Sequence, residues 1–211
     1  MATYKLYYFD ARSRGEPARM LFALKGQKYE DIRFKYGGEE WPKIKNDKSR
    51  FPFGQVPTLA VDGAVIPQSR AIYRYLARKF GYYGNNAEED RDIDVLCEIA
   101  TDIENEIAPL FDEEDAEKRQ AALIKSRDTN LKKFFEFLSD YIQKSDGIYL
   151  IGNRITVADC VVFNILDFFL DSVLVAKGYL DSYPVLLKYC KSIMDDSTLS
   201  PYLKSRPYTM Y

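Results

Sequence analysis

The segment YYFDARSRGEPAR, residues 7–19, places two phenols at the end of a strand-like run. Two guanidinium groups, Arg12 and Arg14, follow in a turn, and Glu16-Pro17 then opens a helix, with proline where the first turn tolerates it. A hydroxyl aimed at an anion is one chemistry this spacing allows. Simple packing is the other, since 17 of the 211 residues are tyrosine and neighbouring tyrosines are common by chance. Two further stretches carry polar possibilities. Pro57 follows Val56 and precedes a strand; it cannot donate to a ladder, so it marks an edge or a turn. A cis Val56-Pro57 bond would turn the Val56 backbone outward, to pair with an extended ligand as a neighbouring strand would. Gln68-Ser69 stands before the helix-like AIYRYLARKF. Ser69 is expected as its N-cap, and a helix N-terminus can also receive a carboxylate. A plain capped helix fits that pair equally well.

The composition removes most alternatives. The chain has no histidine, so it holds no Ser-His-Asp triad, no Cys-His pair and no imidazole ligand for metal or haem. Its chemistry must come from Tyr, Arg, Lys, Asp, Glu or a bound molecule's own group. Cys97, Cys160 and Cys190 are widely spaced, without a C-x-x-C pair. That spacing argues against a disulfide scaffold, a zinc site or a thioredoxin-type redox centre, and no metal is expected. A net charge of -2 gives no long-range attraction to nucleic acid or anionic membrane. The basic stretch from Lys43 to Arg50 is interrupted by Asp47 and is expected to be a solvated face. No apolar run reaches the ~18 residues of a membrane span, and no charged start leads into an apolar leader, so a cytoplasmic location is expected.

The elements that would position these groups fall into two textures. In residues 1–80, YKLYYF and YEDIRFKY predict strands, and EPARMLFALKG predicts a helix stopped by Gly26. TLAVDGAVI predicts two short strands around the hairpin dipeptide Asp62-Gly63. SRAIYRYLARKFG predicts a helix with Ala71, Ile72, Tyr75, Leu76 and Phe80 on one stripe. The order is β-α-β, an irregular segment, then β-β-α. Residues 81–89 are a glycine- and asparagine-containing linker. Residues 90–211 are helical in period. One face runs from Ile93 to Phe111, and a second helix over 116–144 turns Ile124, Leu131, Phe134, Phe135, Leu138, Tyr141 and Ile142 inward. ITVADCVVF carries a capping box, Thr156 with Asp159 three residues on and Ile155 as the staple before it. Asp167 and Asp171 lie four apart on this apolar helix and are expected on a solvent-facing edge. YPVLLKYCKSIMDD predicts one more helix.

Five motifs, YKLYYFDARSRGEPAR, EEWPKIK, PFGQVPTLAVDG, IPQSRAIYRYLARKFG and IGNRITVAD, stand in one order with familiar spacings. Together the chain resembles the cytosolic glutathione transferases, most closely the sigma class and its invertebrate relatives, from about residue 2 to the end. The resemblance implies an α/β domain, thioredoxin-like with order β-α-β-α-β-β-α, packed on an all-helical domain, and a homodimer. It implies that glutathione is the co-substrate and a small apolar electrophile the partner. Tyr8 matches the catalytic phenol of the family, with Tyr7 on the other side of the strand. Arg14 matches the arginine that follows, either adding positive field near the sulfur or holding the loop. Trp41 and Lys45 would meet the glycyl end, Gln55, Val56 and a cis Pro57 the cysteinyl backbone, and Gln68 and Ser69 the γ-glutamyl group. Asp102 matches the acid that reaches across the dimer to the γ-glutamyl amine.

Three departures accompany the likeness. Ser13 stands where relatives often carry glycine, KNDKSRF looks longer than in vertebrate relatives, and the tail SRPYTMY is expected to line or cover the electrophile pocket. Peroxidase or prostaglandin isomerase activity is family-possible. A weakly active lens protein of the S-crystallin type and a carrier of apolar ligands are the alternatives. Retention of Tyr8, Arg14, Trp41, Lys45, Gln68 and Ser69 favours the enzyme.

Overall fold

The computed structural model describes residues 2–145, 147–170 and 178–209. Strand β1, Tyr4–Phe9, alternates its side chains between two covered faces. Tyr4 and Leu6 enter the main core, while Tyr7 meets Phe34 and Phe51 on the opposite side, its ring edge-on to Phe51 at 5.6 Å. Tyr8 therefore lies on the Leu6 side. β1 pairs in parallel with β2, Glu30–Phe34, and antiparallel with β3, Thr58–Val61, which turns through Asp62-Gly63 into β4, Ala64–Pro67. Both turn residues have positive φ, as a two-residue hairpin requires. The sheet order is β2-β1-β3-β4.

Helix α1, Glu16–Lys25, starts with proline in its first turn and stops at Gly26 in the left-handed conformation. The irregular segment contains a short helix, α2, Glu40–Ile44, whose Trp41 packs on Phe34 and Phe51. This gives the β-α-β-α-β-β-α order. Helix α3, Ser69–Phe80, buries Ile72, Tyr73, Leu76, Ala77 and Phe80. Ala71 is exposed and Tyr75 half-buried, so the stripe lies about one position away from the expected one. Its inner edge is Tyr73.

The helical part begins at α4, Ala87–Ile107, capped by the Asn86 side chain, which accepts from Glu89 N–H. A 3-10 turn, Ala108–Phe111, extends it. Then follow α5, Ala116–Ser126, a π-helical turn, Arg127–Leu131, and α6, Lys132–Lys144. Leu131, Phe134, Phe135 and Leu138 are buried, but Ile124 is 40 % exposed and Leu123 takes the inward place. The π turn inserts one residue into the winding, so the inward phase before it moves back by one.

Helix α7, Val157–Leu170, is buried on every side between α1 and α4, as its all-round apolar sequence demands. Its start carries the side-chain half of the expected box: Asp159 accepts from Thr156 N–H at 2.7 Å and from the Thr156 hydroxyl at 3.0 Å. The same carboxyl also accepts from Leu150 N–H and the Tyr189 hydroxyl, both at 3.0 Å. Burial pushes this carboxyl up, against those four bonds. The expected solvent edge at Asp167 is wrong. Asp167 is 5 % exposed, bonded to Arg12 at 2.9 Å and to Arg206. Two guanidinium groups brought from distant positions supply the partners that a buried carboxylate requires. Asp171 lies outside the described residues. Helices α8, Pro184–Met194, and α9, Ser200–Ser205, complete the layer. No helix among the described residues is long and apolar enough to cross a membrane.

Asp159→Ala would leave the Leu150 and Thr156 N–H groups and the Tyr189 hydroxyl without their acceptor inside the fold. At about 1–3 kcal/mol for each unsatisfied group, the expected loss is on the order of 3–5 kcal/mol after relaxation. Urea unfolding of the variant checks it, and a loss within 1 kcal/mol or so would contradict the bonding described.

Candidate active site

The site grows from the end of β1 and the turn behind it. Tyr8 is 6 % exposed. Its hydroxyl oxygen accepts from the Arg14 backbone N–H at 3.2 Å, and the Arg14 carbonyl accepts from the Tyr73 hydroxyl at 2.6 Å. The turn that follows β1 is thus tied to the phenol on one side and to α3 on the other. Ser13 holds φ at 26°, where glycine would sit without strain, which is the structural side of the DARSRG departure. At Gly15 a Cβ would lie 2.4 Å from Tyr8 Cδ1, so only glycine lets the ring lie where it does. Beneath the ring the buried Arg19 guanidinium sits 5.8 Å from its centroid, donating to the carbonyls of Ala11 at 2.6 Å and Phe9 at 3.1 Å.

The electrostatics keep the Tyr8 proton in place. Burial pushes its phenol above the ordinary tyrosine range, and the Glu104 charge adds to that. Hydrogen bonding from Ser13 and the Arg14 N–H opposes the shift. A hydroxyl that accepts from Arg14 N–H and stays protonated has its own hydrogen to donate. The Arg14 guanidinium turns toward α4, with Nη2 donating to Asn105 Oδ1 at 2.7 Å and Nε 3.5 Å from Glu104 Oε2. Burial pushes the Glu104 carboxyl up, while Arg14 and the Ser13 hydroxyl pull it down.

Two cavities adjoin here. One, of about 210 Å³, is lined by Arg14, Trp41, Gln55, Val56, Pro57, Gln68 and Ser69, together with Phe9, Phe53, Gly54 and Pro67. The other, of about 390 Å³, is lined by the Tyr8 ring and shares Phe9, Arg14 and Val56 with the first. The Val56-Pro57 bond is cis. The expected cap at Ser69 is not formed. Gln68 occupies the N-cap position at φ 74°, no side chain caps it, and Ser69 is the first helical residue. The uncapped first turn of α3 faces the smaller cavity, where its N–H groups favour an anion.

Two expected residues stand apart from both cavities. Lys45 is exposed at the end of α2, and Asp102 is exposed on α4. Lys43 and Lys48 are likewise exposed, as a solvated face predicts. The KNDKSRF segment folds on itself. Asp47 accepts from the Ser49 hydroxyl at 2.5 Å, from Arg50 Nε at 2.7 Å and from Ser49 N–H at 3.0 Å, which hold its carboxyl at about 2, and Phe51 is fully buried. Gln55 nonetheless reaches the cavity wall.

The tail does not cover the larger cavity over its described part. Arg206 bonds to Glu16 at 3.0 Å and to Asp167, and the Thr209 carbonyl accepts from Arg12 at 3.1 Å. Glu16 and Arg12 of the turn, with Asp167 on α7, hold it at the back of the turn instead. Met210 and Tyr211 lie outside the described residues. Sequence reasoning missed Tyr73, Gly15, Arg19, Glu104 and Asn105. Only Tyr73 left a trace, a phenol one turn after Ser69 on the inward side of α3.

Residues 4–78 match the family model for the glutathione S-transferase N-terminal domain, and residues 101–206 match that for its C-terminal domain. The chain is 36% identical to glutathione S-transferase 1 of Ascaris suum over 218 residues, covering 100% of both chains. Its fold is similar to that of a Fasciola hepatica sigma class transferase, with a TM-score of 0.87, 32% identity and coverage of 100% of this chain and 99% of the other. It is also similar to a Necator americanus glutathione S-transferase described as monomeric, with a TM-score of 0.84, 34% identity and coverage of 99% and 100%.

The direction of the Tyr8 shift gives a pH test. A freely exposed phenol ionises near ~10. The Tyr8 phenol, raised by burial, is expected to keep its proton through that range. The difference between ultraviolet titrations of the wild type and Tyr8→Phe should therefore show no step near pH ~10. A step at or below that point would contradict the buried, neutral phenol.

Proposed function

The chain belongs to the glutathione S-transferase family, and on that premise we propose that Tyr8 donates its phenolic hydrogen to the glutathione sulfur and holds it as the attacking thiolate. One observation carries this reading: the Tyr8 hydroxyl accepts from the Arg14 N–H, Tyr8 lines the larger cavity, and Arg14 lines both that cavity and the smaller one beside it. A hydrogen bond to the charged form of the sulfur favours that form. An unperturbed thiol near ~8.5 is mostly protonated at neutral pH. Lowering it by about two units corresponds to roughly 2.7 kcal/mol and makes most of it reactive.

Glutathione would lie along the smaller cavity. Its γ-glutamyl carboxylate would meet the first turn of α3 beside Gln68 and Ser69, and its cysteinyl backbone would pair with Val56, next to Gln55 and Pro57. Trp41 would floor the glycyl end, and Lys45, free in solvent, would swing to its carboxylate. Arg14 holds the turn and places a positive charge near the sulfur. Asp102, exposed on α4, would serve the γ-glutamyl amine of a partner copy in a homodimer. The electrophile would enter the larger cavity and take the sulfur, its leaving group departing with the bonding electrons. Peroxidase or prostaglandin isomerase turnover would draw on the same thiolate, in the reducing cytoplasm where glutathione is abundant. An open cavity lined by Tyr8 favours turnover over inert packing.

Tyr8→Phe is expected to lose the thiolate near neutral pH while keeping its KM for glutathione. The higher intrinsic reactivity of a more basic thiolate offsets part of the loss. The net fall in kcat/KM for conjugation is roughly five- to tenfold at pH ~6.5, closing as pH passes the ~8.5 of a free thiol. A full rate in Tyr8→Phe at pH ~6.5 would contradict the assignment. Gly15→Ala should mimic it by pushing the ring aside, with about tenfold or more lost from kcat and the fold retained by circular dichroism. An unchanged kcat there would show that the ring position is not what matters.

A further inference from the structure

The larger cavity has a rim that the reading above leaves without a role. Tyr36, just past β2, donates its phenolic hydrogen to Asp112 Oδ1 at 2.7 Å. Asp112 closes the 3-10 turn after α4, so the bond spans the two domains, and both residues line the cavity that holds the Tyr8 ring. The Tyr36 ring is itself held edge-on against Phe9, with centroids 5.2 Å apart. Phe9, Val56, Ala108, Pro109 and Phe111 make much of the remaining wall apolar. Two charged side chains line the cavity, Arg14 and Asp112. Arg14 is opposed by Glu104 and bonded to Asn105. Among the described residues Asp112 has no cationic partner, and its carboxylate is met by the neutral Tyr36 hydroxyl.

We infer that the Tyr36–Asp112 bridge is a charge filter at the mouth of the second-substrate cavity, admitting small, flat, neutral electrophiles and disfavouring those that carry a carboxylate. This rests on the transferase reading and names the substrate class of its second site. Aromatic edges and faces at Phe9, Tyr36 and Phe111 suit a planar electrophilic ring. A fixed negative charge repels an incoming one. At about 8 Å, with a dielectric between those of protein and water, the penalty is on the order of fivefold in occupancy. It weakens with salt, because the screening length is ~10 Å at 0.1 M.

A chlorodinitrobenzoate and its methyl ester give a matched pair with one ring and one leaving group. In both, the glutathione sulfur bonds to the chlorine-bearing carbon, chloride leaves with the electron pair, and the thiol proton passes to solvent. Each kcat/KM is divided by the uncatalysed rate constant with glutathione at the same ionic strength, which removes the repulsion from the thiolate itself. The wild type should prefer the ester by about fivefold or more. Asp112→Asn should bring that ratio toward one, and Tyr36→Phe, which keeps the carboxylate, should retain it. High salt should shrink the wild-type ratio and leave that of Asp112→Asn unchanged. Turnover of the ester with a ratio near one, or a ratio unaltered by Asp112→Asn, overturns the filter alone. No turnover of the ester by the wild type overturns the transferase reading and the filter with it.

Discussion

The hydrogen bond from the Arg14 N–H to the Tyr8 hydroxyl is the contact on which the site depends. It occupies a lone pair of the phenol oxygen and leaves the phenol hydrogen for a ligand. It works only if the turn between β1 and α1 is held still. Tyr73 holds the front of that turn through the Arg14 carbonyl. Behind it stand Arg12, Glu16 and Arg19, with Asp31, Asp167 and Arg206 completing a buried ionic network. Networks of this kind add little net stability, because desolvation offsets attraction. Their consequence here is geometric: α1, α7 and the C-terminal tail all converge on a turn of a few residues. Leaving any of those charges without its partner would cost far more than the pair contributes.

A chain without histidine has few ways to activate a nucleophile, and in the proposed mechanism the task would be divided between the two domains. The sheet domain supplies the phenol, the polar cleft and the uncapped helix terminus. The helical domain supplies Glu104 and Asn105, which fix the Arg14 guanidinium, and the wall around Phe111. Burial, which would disable a group that must ionise, suits the role proposed for Tyr8, which needs the neutral form. The same burial pushes the Cys97 thiol up to about 12 and the Cys160 thiol well up, so those side chains stay inert.

Much of this was legible in the residues, and what was legible was local. Alternation along YKLYYF separates Tyr7 from Tyr8, Asp62-Gly63 turns β3 into β4, and Thr156 with Asp159 starts α7. The polar cleft was also legible, through motifs in register at Trp41, Gln55 to Pro57, and Gln68-Ser69. What failed depended on distant parts of the chain. Asp167 reads as a solvent-edge carboxylate until Arg12, 155 residues away, is brought against it. Ile124 reads as inward until a π turn shifts the phase by one residue. Ser69 reads as a cap until Gln68 takes that position with a positive φ. The tail was expected to line or cover the pocket, but Arg206 follows the buried acids Glu16 and Asp167 instead. Gly15 is silent in sequence, since its value lies in the space it leaves for a ring seven residues earlier.

The most direct test of the central claim is an ultraviolet titration of glutathione bound to the wild-type protein, following thiolate absorbance against pH. A phenol that donates to the sulfur predicts a midpoint about two units below the ~8.5 of an unperturbed thiol. A bound thiol that titrates like the free one would contradict the account, whatever the rate of transfer.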